Sequence, residues 1–201
     1  MFILYALLAG LIVGVAVGGR LSALASIRFH WAPLILFGFL AQVLLFSDAV
    51  AGRVGDLGPM IYVATTIMVG VAVLRNLRLP GMPLIVLGAA SNLAAILANG
   101  GYMPSTPEAL ASLGKTAPII YSNSAVVASP NLPWLIDRFA LPHWLPMANV
   151  FSLGDIVLAA GVFVLVVATM RAQPDAAAGP VRGRAADGTS AGGVDGEPTA
   201  A

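Results

Sequence analysis

The chain has no cysteine and only two histidines, His30 and His143. Without cysteine there can be no disulfide, thiolate metal site or cysteine nucleophile. Two imidazoles are too few for a histidine-rich metal centre. Charge is also scarce: Asp, Glu, Lys and Arg make up 9% of 201 residues, against about 25% in a soluble domain. A net charge of +1 carries no basic excess of the kind that marks nucleic-acid binding. No Gly-rich phosphate loop, His-Glu-x-x-His, Gly-x-Ser-x-Gly or pair of carboxylates at helical spacing is present. Ser122-Asn123-Ser124 matches part of the penicillin-interacting Ser-Asp-Asn motif only superficially, and its partner motifs are missing. No catalytic residue, cofactor or metal is therefore nominated, and an enzyme is the weaker of the readings the chain leaves open.

What fills the chain instead is apolar sequence. Hydrophobic residues make up 59% of it and the mean hydropathy is +0.92. The expectation is an all-α membrane protein with the lipid bilayer as its principal partner. About five spans are expected, over residues 2–19, 31–50, 59–74, 83–98 and 153–170, with an external loop at 99–152. Together they form an integral membrane domain over residues 1–171. The first apolar run competes with a secretory signal peptide, since Ala23-Leu24-Ala25 resembles a cleavage site. It lacks a basic n-region, however, and its first positive charge, Arg20, follows the apolar stretch, so an uncleaved helix is the reading adopted. The loop holds seven of the fourteen prolines. Two short helices are expected within it. One starts at Thr106-Pro107-Glu108, a cap residue followed by proline and an acid. The other runs from Leu132 to Leu141, with Trp134, Leu135 and Phe139 on the bilayer and Asp137 and Arg138 toward water. Residues 172–201 are Ala, Gly, Pro and scattered charge, and read as a disordered tail.

The basic residues give an orientation. With five spans, Arg20, Arg28, Arg75, Arg78, Arg171, Arg182 and Arg184 share one side, and only Arg53, Lys115 and Arg138 fall on the other. The positive-inside rule then places the N-terminus outside and the tail in the cytoplasm.

Three motifs belong together: Asn99-Gly100-Gly101-Tyr102-Met103-Pro104, the Leu132-to-Asp137 segment, and Asn149-Val150-Phe151-Ser152-Leu153-Gly154-Asp155. As a set they resemble an uncharacterised family of small bacterial multi-pass membrane proteins, catalogued as a domain of unknown function. The resemblance covers roughly residues 1–171 and excludes the tail. It implies the bacterial inner membrane and supplies no activity, cofactor or site.

The chain is organised around Ser91 to Pro104, where an apolar helix carrying Asn92 and Asn99 on one face breaks at Gly100-Gly101. Asp155 is the one acid recognised near an apolar helix interior. Burying its charge would cost roughly 2.5–3.5 kcal/mol on insertion scales, which makes it a functional candidate. It also completes a capping box with Ser152. Candidate ligand-binding residues are Asn92, Asn99, Tyr102, Asn123, His143, Asn149 and Asp155, converging on a polar pocket beneath the loop. Alternatively the asparagines satisfy turns and helix ends. Near mid-span, Gln42 reads as a helix–helix hydrogen bond, and Thr65 and Thr66 as bonding back to the preceding turn.

On the first helix Gly10, Gly14 and Gly18 continue a small-residue ridge from Ala6 that packs against other helices of the chain or a second copy. The first functional reading is an accessory or scaffold subunit, homo-oligomeric or bound to another membrane protein through that ridge. The alternative is binding or transport of a small polar solute, ion or lipid headgroup. A third is an interfacial enzyme using His143 or Asp155.

Overall fold

The computed structural model describes residues 2–114, 124–125, 127 and 129–172. Asn123, Lys115 and the tail beyond Ala172 lie outside the described residues. The elements in chain order are α1 (Phe2–Ala16), a 3-10 helix (Leu21–Ser26), α2 (Ala32–Leu45), α3 (Asp48–Val54), α4 (Leu57–Leu74) and α5 (Met82–Ala98). They are followed by β1 (Met103–Pro104), α6 (Pro107–Ala111), β2 (Ser124–Ala125), β3 (Phe139–Ala140), β4 (Val150–Phe151) and α7 (Leu153–Arg171). Most of the described chain is helical. Among those residues α4 and α7 are long and apolar enough to cross a membrane, while α1, α2 and α5 are shorter apolar helices. At 1.5 Å per residue, α1 and α2 reach only ~21–23 Å.

The long helices pack in the order α1–α7–α5–α4–α2. Glycine sets the closest approaches. On α5 and its leading turn, Gly81 and Gly88 face Gly161 and Gly154 of α7 in antiparallel register, so that a Cβ at Gly81, Gly88 or Gly161 would strike backbone of the opposite segment. Both pairs are seven residues apart, which keeps them on one face over two turns. On the other side of α7, Gly10 of α1 lies against Val166 and Gly14 against Met170. Gly18 does not share this contact. The helix has ended at Ala16, Gly18 is left-handed at φ +81°, and nothing lies within 4 Å of where its Cβ would sit. Gly19 meets Met170 instead, and the Arg20 N–H donates to the Met170 carbonyl at 2.8 Å.

Between α2 and α4, Gly38 admits Val69, and Gln42 donates to Thr65 and Thr66 at 3.4 and 3.2 Å. Those two hydroxyls donate in turn to the carbonyls of Ile61 and Tyr62. The span expected at 31–50 is divided: α2 stops at Leu45, and Ser47 opens the separate helix α3. At the opposite end of α4, buried Asn76 accepts from the His30 N–H and donates to the carbonyls of His30 and Ala72. That amide pins the connection entering α2.

Burial is inverted relative to a water-soluble bundle. The residues hidden in α1 are Gly10 and Gly14, and those in α2 are Gly38 and Leu45. Leu36, Phe37, Phe39, Leu40, Val43 and Leu44 of α2 face outward. In the apolar windows of α4 and α7 only 22% and 33% of residues are buried, so these are not the hidden core helices of a soluble domain.

The loop between α5 and α7 folds over one end of the helices as a cap. β1 pairs in parallel with β2, and β3 in antiparallel with β4. α6 forms at the expected place, with the Thr106 hydroxyl accepting from the Ala109 N–H and Pro107 in its first turn. The helix expected from Leu132 to Leu141 does not form. Leu132 takes a left-handed φ of 52°, a turn follows, and residues 137–140 extend to pair with Ser105 and β4. The extended pairing supplies long-range backbone partners that an amphipathic helix on the bilayer would not have needed.

Candidate functional site

The end of α5 and the start of α7 meet beneath the cap in a closed polar network. Ser152 is the N-cap of α7: its hydroxyl accepts from the Asp155 N–H at 3.0 Å, and the Asp155 carboxylate accepts from the Ser152 N–H at 3.0 Å. This is the capping box expected from Ser152-Leu153-Gly154-Asp155. Asn92 joins it from α5. Its amide nitrogen donates to Asp155 Oδ1 at 2.8 Å, and its amide oxygen accepts from the Ser152 hydroxyl at 2.8 Å. A Cβ on Gly154 would collide with that amide oxygen. Glycine at 154 therefore makes room for Asn92.

Beside this network lies a cavity of about 190 Å³, lined by Asn92, Asn149 and Asp155 together with Tyr62 and Asp137, and by apolar side chains including Phe2 and Met103. Three of the seven candidate residues thus share one space. Asn99 has another role. Its amide donates to the carbonyls of Ala95 and Asn131 and accepts from the Asn131 N–H, while Asn131 donates to the Ala98 carbonyl. This reciprocal pair closes the end of α5 and anchors the cap. His143 is exposed in a turn, away from the cavity lining. Tyr102 is half-buried and does not line the cavity either. Asn123 lies outside the described residues.

The residue missed in the sequence is Asp137. Expected to face water, it is 9% exposed and sits on the cavity wall. The cap holds it from both sides: its N–H donates to the Pro104 carbonyl, and its carbonyl accepts from the Thr106 N–H, each at 2.9 Å. The Ser105 hydroxyl stands 3.5 Å from its Oδ2. Burial, and then the negative charge of Asp155, push its carboxyl from an ordinary 3.8 up to about 7, against the Ser105 hydroxyl and the positive amino terminus. Its neighbour Arg138 lies over the Trp134 ring, 5.1 Å from the centroid. The signal that could have found Asp137 is its position at the end of the Leu132-to-Asp137 motif.

The mouth of α1 completes the wall. Phe2 stacks on Phe151 at 4.3 Å, Phe151 stacks on Phe139 at 5.6 Å, and the Tyr5 hydroxyl donates to the Pro146 carbonyl. Among the described residues no group of three or more His, Cys, Asp or Glu is placed to hold a metal ion.

Fold and cavity together define a helical protein of apolar exterior, with two helices able to cross a membrane and a folded cap over a small acidic chamber. Residues 26–167 match the model of a family of unknown function (DUF5317), and the chain belongs to that family. No curated protein and no solved structure shows significant similarity to it.

Proposed function

We propose that this is a five-pass protein of the bacterial inner membrane whose capped outer chamber binds a small polar solute or headgroup. The observation that carries the reading is the chamber itself: Asn92, Asn149, Asp155 and Asp137 come from three separate chain segments to face one cavity. Spanning is supported by the outward-facing large apolar side chains. It is also supported by the helix directions, since α2 with α4 and α5 with α7 run antiparallel while α1 and α7 run parallel, as alternate passes require.

The scaffold reading rested on the ridge of α1. Gly10 and Gly14 face Val166 and Met170 of the same chain, while Gly18 has open space around its Cβ position.

Native mass spectrometry of protein extracted gently from its own membranes tests the binding reading. Wild type is expected to carry a defined small adduct that Asn149→Leu, which fills the chamber, releases. A bare wild-type mass, or an adduct indifferent to Asn149→Leu, overturns it.

A further inference from the structure

The link from α1 to α2, residues 17–31, contains no buried residue. It is nevertheless fixed at both ends. The Arg20 N–H donates to the Met170 carbonyl at 2.8 Å, at the end of α7. At the far end the His30 N–H donates to Asn76 Oδ1 at 2.7 Å, and the Asn76 amide donates back to the His30 carbonyl at 3.0 Å. Between these ties the 3-10 helix packs on α7. The segment is therefore a strap across one end of the helices, held through its backbone and not by an apolar face of its own.

Arg20, Leu21, Arg28, Phe29, His30 and Trp31 of the strap are all exposed. The tie at Asn76 brings a second basic segment alongside, since Arg75 precedes Asn76 and Arg78 follows it closely, both exposed. The side chains of Arg20, Arg28, Arg75 and Arg78 make no hydrogen bond or ion pair to a described residue. Neither residues 17–31 nor residues 75–81 include an Asp or Glu. Water would solvate the guanidinium groups, but not the Leu21, Phe29 and Trp31 side chains set among them. The headgroup layer of a bilayer accommodates both, because tryptophan favours that level and guanidinium matches phosphate oxygens in a bidentate fork.

We propose that the strap and the turn after α4 form a docking surface for anionic phospholipid headgroups. Arg28, Arg75 and Arg78 engage the phosphates, while Phe29 and Trp31 lie where the acyl chains begin. Basic groups next to spanning helices draw anionic lipid in this way. Asn76 holds the two segments in register, so the basic side chains and the aromatic ones are offered to the same layer. The inference rests on the spanning part of the reading above and makes no use of the chamber.

The test mixes the purified full chain in detergent with equal amounts of dioleoyl phosphatidylglycerol and dioleoyl phosphatidylcholine, and counts retained lipid by native mass spectrometry. Wild type is expected to retain phosphatidylglycerol preferentially, and so is Arg53→Gln, whose arginine lies in α3 toward the capped end. The preference should fall about fivefold in each of Arg28→Gln, Arg75→Gln and Arg78→Gln, and about a hundredfold in the triple variant. All three side chains are exposed, so the variants are expected to fold, and a thermal melt checks this. Equal retention of the two lipids by wild type, a preference that the triple variant keeps, or an equal drop in Arg53→Gln overturns the proposal. Asp175, Asp187, Asp195 and Glu197 of the tail are the competing partners for these arginines. If the preference emerges only when those four are changed to Asn or Gln, the surface belongs to the tail and lipid docking is overturned. Flotation with phosphatidylcholine vesicles reports spanning separately and is expected of wild type and triple variant alike. Failure of both to float overturns the spanning reading and this proposal with it, whereas a lost lipid preference in protein that floats overturns the docking surface alone.

Discussion

Asp137 and Asp155 differ in what holds them. Asp155 is built into a helix cap, where its carboxylate accepts from Asn92 and from the Ser152 N–H. Asp137 is buried with one long contact, so its neutral form is favoured and its carboxyl rises to about 7. A group raised in the folded state contributes stability that is complete below the unfolded pKa and lost as pH climbs through the folded one. Wild type is therefore expected to lose several kcal/mol between about pH 4 and pH 7 through this group. Asp137→Asn should flatten that decline, which a series of thermal melts across pH would read. An unchanged slope in the variant would show that Asp137 is not the titrating group. Asn92 makes a different kind of contribution. Its amide is paired at both ends, so Asn92→Ala should destabilise by roughly 1–3 kcal/mol by leaving Ser152 and Asp155 short of partners.

At the scale of elements, the seam between α5 and α7 is made of backbone against backbone. A side chain at Gly161 would meet the Gly81 carbonyl and the Ile85 N–H, each at 2.7 Å, and backbone cannot rotate away as a side chain can. Gly161→Leu should therefore cost more than the ~1–3 kcal/mol of an ordinary overpacked core, and is expected to abolish a monodisperse peak on size exclusion. Gly70, inside α4, has nothing within 4 Å of its Cβ position. Gly70→Ala should be tolerated and gain up to about 1 kcal/mol in helix propensity. The helices were legible in the sequence because each is a continuous apolar run with a stop: Gly100-Gly101 after Asn99, and Ser152 with Asp155 before α7. The cap was less legible. Its strands are two residues long, their partners lie 10 to 32 residues away, and Leu132 and Met147 adopt left-handed conformations that their residue types do not announce. An amphipathic pattern over 132–141 pointed to a helix because local periodicity carries no information about a distant strand. Asp137 was misplaced with it.

Charge is unevenly spread over the described residues, with five of their seven arginines toward one end. Arg20, Arg28, Arg75, Arg78 and Arg171 belong to segments at the end where Arg20 meets Met170 and His30 meets Asn76. Asp48, Asp56, Glu108, Asp137 and Asp155 all belong to segments at the capped end. Under the proposed five passes, the positive-inside rule would face the cap outward. The absence of cysteine makes the orientation simple to measure, because an introduced cysteine is the chain's sole thiol. Exposed Ser112 and Leu77 lie at opposite ends. A membrane-impermeant maleimide should label Ser112→Cys in intact spheroplasts and Leu77→Cys only after lysis. The reverse pattern would invert the threading, and labelling of both in intact cells would show that α5, the helix between them, does not cross.

By itself the sequence determined the apolar helices, their stops, the capping box at Ser152 and the bias of charge to one side. Each of these depends on neighbours within a few turns or on composition summed over a segment. Only the tertiary structure decided that Gly18 stands outside the α1–α7 contact, that Asn99 anchors the cap while Asn92 joins Asp155, and that Asp137 turns inward. These outcomes depend on which distant backbone arrives within hydrogen-bonding reach. That is a property of the packed chain and not of any one segment.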